Sequence, residues 1–167
     1  DCPHYSIFTQ KILVIKLDAV GDVLRSTCLL PSLQQKYPGA HISWVTRQNA
    51  VDLFKNLPAV HQVLPFEKTE TIIRLLNQKF DIMIHPDANP VSGGLASLVK
   101  ADKKYGFMVD ETGCVQPFSP AAEQWLEMGA FDNRKKNNKR TYQEVIHDIA
   151  GLEYNRREIQ LILSDSE

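Results

Sequence analysis

The stretch KILVIKLDAVGDVLRSTCLL, residues 11–30, decides the fold. Its first seven residues are an apolar run that ends at Asp18 ahead of a glycine turn. That length is too short for a helix and reads as a strand buried on both faces, as in a parallel sheet. From Asp22 the spacing changes: Val23, Leu24, Thr27, Leu30 and Leu33 recur at three- and four-residue steps, which predicts one apolar stripe on a helix over 22–36. Pro31 removes a backbone donor, so the helix is expected to kink or end near residue 30. Gly21 is expected to make the tight turn between strand and helix. Asp22 then falls at the cap or in the first helical turn.

Working outward, HISWVTR (41–47), HQVLPF (61–66), FDIMIHP (80–86) and KKYGF (103–107) read as further strands. Helical spacing appears over 69–78 and 94–100. Strand and helix alternating through short loops predict an α/β fold, a Rossmann-like doubly wound parallel sheet with right-handed crossovers. After Phe107 the pattern loosens. Residues 108–120 read as loop, 121–129 as a short helix and 132–140 as an exposed polar, basic linker. TYQEVIHDIAGL (141–152) carries a capping box at Thr141 and Glu144, with Gly151 placed to end the helix. REIQLIL (157–163) is expected to be a last strand. The division expected is an N-terminal extension over 1–10 and one Rossmann-like domain over 11–167.

With 167 residues, 43% of them hydrophobic and 23% charged, the chain has the composition of one ordinary globular domain. Its 19 basic and 20 acidic residues leave a formal charge of −1. No global field draws it to nucleic acid or to an anionic bilayer, so any anion binding must be local. Cys2, Cys28 and Cys114 are too few and too scattered for a disulfide framework or a zinc site, and fit a reducing cytosol. Cys2 and His4 are a weak pair of candidate metal ligands beside the simpler reading of a frayed terminus. No stretch approaches the roughly 20 apolar residues needed to cross a bilayer, so a soluble, cytoplasmic protein is expected. Lacking an initiator Met, the sequence also reads as a segment excised from a longer chain.

Ligands of parallel sheets bind outside the carboxyl ends of the strands. That directs attention to residues 17–22, 85–90 and the loop after Val45. The first turn has one glycine instead of the three of a dinucleotide fingerprint, and no G-x-x-x-x-G-K-[ST] occurs, which disfavours a conventional NAD or ATP site. Two readings of Asp22 stay open: a helix cap that satisfies free N–H groups, or a carboxylate facing a cleft and accepting a proton from a bound hydroxyl. Asp87 and Asn89 read equally as acceptor contacts or as a polar turn. Ser92, Gly93 and Gly94 are expected to open the next helix, where free N–H groups could meet an anion. Arg25, Arg47 and Lys68 are candidate phosphate contacts or solvated surface. His85 reads as a packed histidine, and Trp44 and Trp125 as core anchors. The basic run 134–140 is a solvated linker or a contact with an anionic membrane surface.

Residues 11–47, NLPAVHQVLPF (56–66) and FDIMIHPDANPVSGGLASLVKADKKYGF (80–107) together resemble the N-terminal half of the heptosyltransferases, inverting glycosyltransferases of family nine that build the lipopolysaccharide core. The resemblance lies in a strand, a Gly-Asp turn, a helix, YPG, a strand with an aromatic, then D-x-x-I and GF, in that order. It implies the N-terminal half of a GT-B glycosyltransferase, binding a saccharide or glycolipid acceptor. A C-terminal domain absent from this chain would hold a nucleotide-sugar donor such as ADP-heptose. Carried over, Asp22 matches the proposed general base, and Asp18, Ala19, Val20 and Gly21 match the loop lining the acceptor pocket. Neither a cofactor nor a catalytic metal is implied. The location implied is cytoplasmic, at the inner face of the bacterial inner membrane, with peripheral membrane contact. The chain departs from the family pattern in carrying a second carboxylate at Asp18 and in having Cys28 where members often have proline. On this basis the isolated chain is expected to lack transferase activity and tight nucleotide-sugar binding. The alternative is a non-catalytic Rossmann-like binding module in which Asp22 is only a cap.

Overall fold

The computed structural model describes residues 8–163. Cys2 and His4 lie outside that range. Six strands form one sheet: β1 (Lys11–Ile15), β2 (His41–Thr46), β3 (Gln62–Pro65), β4 (Lys79–His85), β5 (Lys100–Val109) and β6 (Val115–Pro117). Their spatial order is β3-β2-β1-β4-β5-β6. The first five run parallel, with Val14 beside both Trp44 and Ile84, and only β6 is antiparallel. The chain winds outward from β1 to β3, then returns to the other side of β1 with β4. That reversal opens a crevice between the carboxyl ends of β1 and β4, the place where doubly wound sheets bind ligands. The fold is Rossmann-like.

Alternation along the strands fills two layers. Ile12, Val14, Ile42, Trp44, Ile82 and Ile84 point to one face, under the helices that follow β1 and the helix near the C-terminus. Leu13, Ile15, Val45 and Met83 point to the other, with Leu75, Leu95 and Ala96 from the helices flanking β4. Trp44 is fully buried, its ring centroid 4.9 Å from that of Phe54 with the planes tilted by 41°. Burying side chains of this size contributes about 1.5–3 kcal/mol each.

The helix expected over 22–36 is two helices, α1 (Val20–Ser26) and α2 (Leu29–Lys36). The break precedes Pro31, which sits in the first turn of α2, where its missing N–H would have had no intrahelical partner. The hydroxyl of Thr27 donates to Leu24 O at the break, and Cys28 is buried there, its thiol pushed up to about 12 by that burial. Gly21 is not the expected tight turn. It has no positive φ, lies in the first turn of α1, and a Cβ placed on it would meet nothing within 4 Å. The bend is made instead by extended Ala19, at φ −82° and ψ 173°.

The strands of 41–47, 61–66 and 80–86 appear within a residue or two of expectation. KKYGF lies within a ten-residue strand, and it holds the most demanding backbone position in the sheet: Gly106 has φ +98°, and a Cβ there would fall 1.8 Å from His85 O. The loop expected over 108–120 contains β6 and a tight turn built by Asp110. Its carboxylate accepts from Thr112 N, Thr112 Oγ1, Cys114 N and Gln116 Nε2, and hydrogen bonds from the Thr112 and Gln116 side chains lead in holding it at about 2.

α3 (Thr69–Asn77), α4 (Pro90–Leu98), α5 (Pro120–Ala130) and α7 (Tyr142–Ile149) match expected helices. The start of α4 does not, because Asn89 caps it and Pro90 is its first residue, so Ser92, Gly93 and Gly94 lie within it. The expected basic linker contains a further helix, α6 (Asp132–Asn137). The capping box of α7 is present, and Gly151 follows that helix at φ +65°. The strand expected over 157–163 is absent: that segment bonds to side chains between helices, with Gln160 N donating to Thr27 Oγ1 at the break between α1 and α2 and Asn56 Nδ2, from a turn, donating to Ile162 O.

Candidate active site

Two loops meet at the crevice between β1 and β4. In the first, Asp22 is the third residue of α1. The carbonyl of Ala19 takes the N–H of Asp22 and of Val23, both at 2.8 Å. Ala19 is the residue in the cap position and has no side chain to cap with, so the reading of Asp22 as the N-cap is corrected. The carboxylate of Asp22 caps nothing. It is half-exposed, and its one protein partner among the described residues is Arg25, 3.2 Å away across one helical turn. The dipole of the helix favours an anion at that place, and exposed pairs of this kind contribute about 0–1 kcal/mol. Asp22 is held in place without being consumed.

The guanidinium of Arg25 has a second partner. Its carbon lies 4.0 Å from the centroid of the Tyr142 ring, which α7 delivers from more than a hundred residues away. Burial raises the pKa of the Tyr142 hydroxyl, and the nearby negative charges of Asp22 and Asp87 raise it further. Tyr142 is therefore a neutral phenol at the edge of the same site.

Asp18 lies in this loop too, but its charge is answered. Arg47, just past the end of β2, donates from Nε to Asp18 Oδ1 at 2.7 Å, and that hydrogen bond leads in holding the guanidinium firmly protonated. Arg47 also reaches Glu67 at 3.7 Å and lies over the Phe66 ring. The second carboxylate of the first turn is thus part of an Asp18–Arg47–Glu67 chain along the carboxyl edge of the sheet.

The second loop, after β4, is built differently. Asp87 is buried, and both of its oxygens are engaged: Oδ1 by the ammonium of Lys16, itself only 3% exposed, and Oδ2 by Leu17 N at 2.9 Å. Lys16 also donates to the carbonyl of Asp18. This buried pair ties the end of β1 to the end of β4 across the switch point. Asn89 uses its side-chain oxygen to accept from Val91 N at 2.8 Å and so caps α4. His85, fully buried beside this loop, pairs its Nδ1 with Phe107 O at 2.7 Å, and burial lowers its pKa. Its Nε2 and the Oγ1 of Thr46, at the ends of β4 and β2, have no hydrogen-bond partner among the described residues.

Of the residues named from sequence, the structure brings Asp18, Ala19, Val20, Gly21 and Asp22 to one edge with Asp87 and Asn89 across the crevice. Val20 stands exposed on the first turn of α1. Lys16, which reads in sequence as an interruption of an apolar strand, and Tyr142, which reads as an ordinary helix residue, were legible only after folding. Among the described residues no group of three or more His, Cys, Asp or Glu side chains could hold a metal ion.

No family model matches the chain. The lipopolysaccharide core heptosyltransferase OpsX of Haemophilus influenzae is 22% identical to it over 112 residues, 63% of this chain and 32% of that protein. The chain resembles the lipopolysaccharide-core heptosyltransferases. In structure it is similar to the heptosyltransferase WaaC of E. coli, solved with ADP-2-deoxy-2-fluoro heptose, at a TM-score of 0.56, 17% identity, and coverage of 89% of this chain and 51% of that one. The family 9 glycosyltransferase of Veillonella parvula DSM 2008 aligns at a TM-score of 0.52 with 20% identity, covering 61% of this chain and 33% of that one. These structural likenesses establish the fold. The heptosyltransferase-like chain spans between a third and about half the length of these relatives.

Proposed function

We propose that this chain is the acceptor-binding, N-terminal half of a GT-B glycosyltransferase that moves a sugar, of the heptose class, from a nucleotide diphosphate to a saccharide or glycolipid acceptor. The domain division and the cytoplasmic location at the inner membrane face belong to the same reading. The observation that carries it is the contrast at the first turn. A half-exposed carboxylate at Asp22 caps nothing, and beside it Gly21 occupies a helical position with empty space where a side chain would be. A glycine inside a helix costs about 1 kcal/mol relative to alanine. Packing does not require it here, whereas a ligand approaching the helix closely does.

In this reading the acceptor lies over Gly21 with its hydroxyl against Asp22. As the acceptor oxygen bonds to the anomeric carbon, its proton passes to the carboxylate of Asp22. The bond from the anomeric carbon to the diphosphate oxygen breaks on the opposite face, the configuration inverts, and the nucleoside diphosphate leaves with the electron pair. General-base assistance of this kind contributes about 10²–10⁴-fold. Arg25 and Tyr142 position Asp22. Asp87 and Asn89 shape the far wall of the acceptor pocket through the backbone that they fix, while Asp18, paired with Arg47, presents polar edges to sugar hydroxyls.

The test is transfer by the protein expressed from its complete reading frame. Mixed with ADP-heptose and a truncated lipopolysaccharide core, it is expected to release ADP in step with appearance of the extended saccharide. Absence of both products from a folded protein, over a panel of ADP- and other nucleotide-linked sugars, overturns the reading.

A further inference from the structure

Among the described residues, the three cations at the crevice are already spent. Arg25 is paired with Asp22 at 3.2 Å and lies over the Tyr142 ring at 4.0 Å. Arg47 is held three times: its Nε donates to Asp18 Oδ1 at 2.7 Å, its Nη1 lies 3.7 Å from Glu67, and its guanidinium lies over the Phe66 ring. The ammonium of Lys16 is buried against Asp87 and the carbonyl of Asp18. Four carboxylates, Asp18, Asp22, Glu67 and Asp87, thus face Lys16, Arg25 and Arg47, which leaves one negative charge in excess. Following the edge outward does not reverse the sign, because Lys68, past β3, is outnumbered by Asp110 and Glu111, past β5.

The helix ends add no place for an anion. A helix N-terminus attracts anions through its free N–H groups and its dipole. At α1 that place is filled by the chain's own Asp22. At α4, Pro90 has no N–H, Val91 N donates to Asn89 Oδ1 at 2.8 Å, and Gly93 N donates to Asn89 O at 2.8 Å. Arg25, Arg47 and the opening of α4 all read in sequence as candidate anion contacts, and folding pairs each of them with oxygens of the chain itself.

We propose that the acceptor is uncharged where it meets this edge, an unphosphorylated sugar, and that Asp18 sets the preference by occupying Arg47. A phosphate monoester carries about −1.5 to −2 charges at neutral pH. Here it would meet surplus carboxylate and no free cation, and like charges placed together are an effective means of rejecting a competitor. Hydroxyl groups suit the same surface, since half-exposed carboxylates accept hydrogen bonds from them and the paired guanidinium keeps N–H groups to donate. The preference presupposes the acceptor reading of the crevice, whereas its measurement does not require transfer.

The experiment is NMR titration of the protein expressed from its complete reading frame, with the backbone amides of Gly21 and Asp22 as reporters. The probes are matched pairs of a hexose and its 6-phosphate: glucose, mannose and galactose. The free hexoses are expected to shift these amides, and the phosphates to bind about tenfold more weakly, with the gap closing as salt is raised. Asp18→Asn removes the surplus charge and is expected to bring the two affinities close together, while Arg47→Gln is expected to widen the gap. A role in holding the loop alone would move both members of a pair alike. Both side chains are partly exposed, and unchanged melting temperatures will show that the variants fold. Phosphates that bind as tightly as the free sugars, no shift with either member of any pair, or an Asp18→Asn variant with an unchanged ratio would overturn the proposal. A crevice that binds hexoses in a protein that transfers no sugar defeats the transferase reading alone, and one that prefers phosphates in an active transferase defeats only the charge preference.

Discussion

The two loops at the crevice each carry aspartate beside small or turn-forming residues, yet they treat those side chains in opposite ways. After β4, Asp87 is buried with both oxygens engaged, and Asn89 is used as a cap. After β1, Asp22 is half-exposed and touches only Arg25 among the described residues. One loop holds the edge of the sheet together and the other leaves a carboxylate open to water on it. The difference follows from burial: a carboxylate withdrawn from water must be paired and hydrogen-bonded, while one in water is free to meet a ligand.

The strongest way to break this comparison is at Asp87. Asp87→Ala leaves the ammonium of Lys16 buried and uncompensated, and is expected to cost about 3–5 kcal/mol in urea unfolding. A loss below about 1 kcal/mol, the range of an exposed pair, would show that the two loops are not different in kind. Acid sharpens it next. Burial lowers the pKa of His41, His85 and His147. Below about pH 6.5 the unfolded chain binds protons that the folded chain refuses, so stability is fully present above that pH and falls as pH drops toward the folded values. Thermal melts from pH 7.5 to 5 are expected to show a falling midpoint, with a shallower slope in His147→Gln. Thr141→Ala, which removes half of the capping box that starts α7 beside Tyr142, is expected to cost about 1 kcal/mol by calorimetry. The smallest effect belongs to the other loop: Asp22→Asn is expected to change stability by less than about 0.5 kcal/mol, as read from the same urea transitions that report on Asp87.

Much of this arrangement is legible in the sequence, because the elements that define it are periodic. The apolar run of β1, the stripe after Asp22 and the capping box at Thr141 each announce themselves within a dozen residues. What escapes are features made by pairing across the fold. Lys16 finds Asp87 at a separation of 71 residues, and Arg25 finds Tyr142 only once α7 is docked. REIQLIL has the alternation of a strand, but its backbone meets the side chains of Thr27, in the break between α1 and α2, and Asn56, in a turn, rather than a sheet edge. Gly21 shows the opposite failure. Its local pattern suggests a strained turn, while the backbone strain of this sheet sits at Gly106, where a close approach to His85 leaves no room for Cβ.

The central claim is that the exposed carboxylate of the first loop performs chemistry. Its most direct test is single-turnover transfer by Asp22→Asn in the protein expressed from its complete reading frame, with saturating donor and acceptor. The account predicts a rate reduced about 10²–10⁴-fold, with urea stability and acceptor affinity near those of the unsubstituted protein. An unchanged rate from a folded Asp22→Asn variant would contradict it, and would return Asp22 to the role of a helix-end charge paired with Arg25.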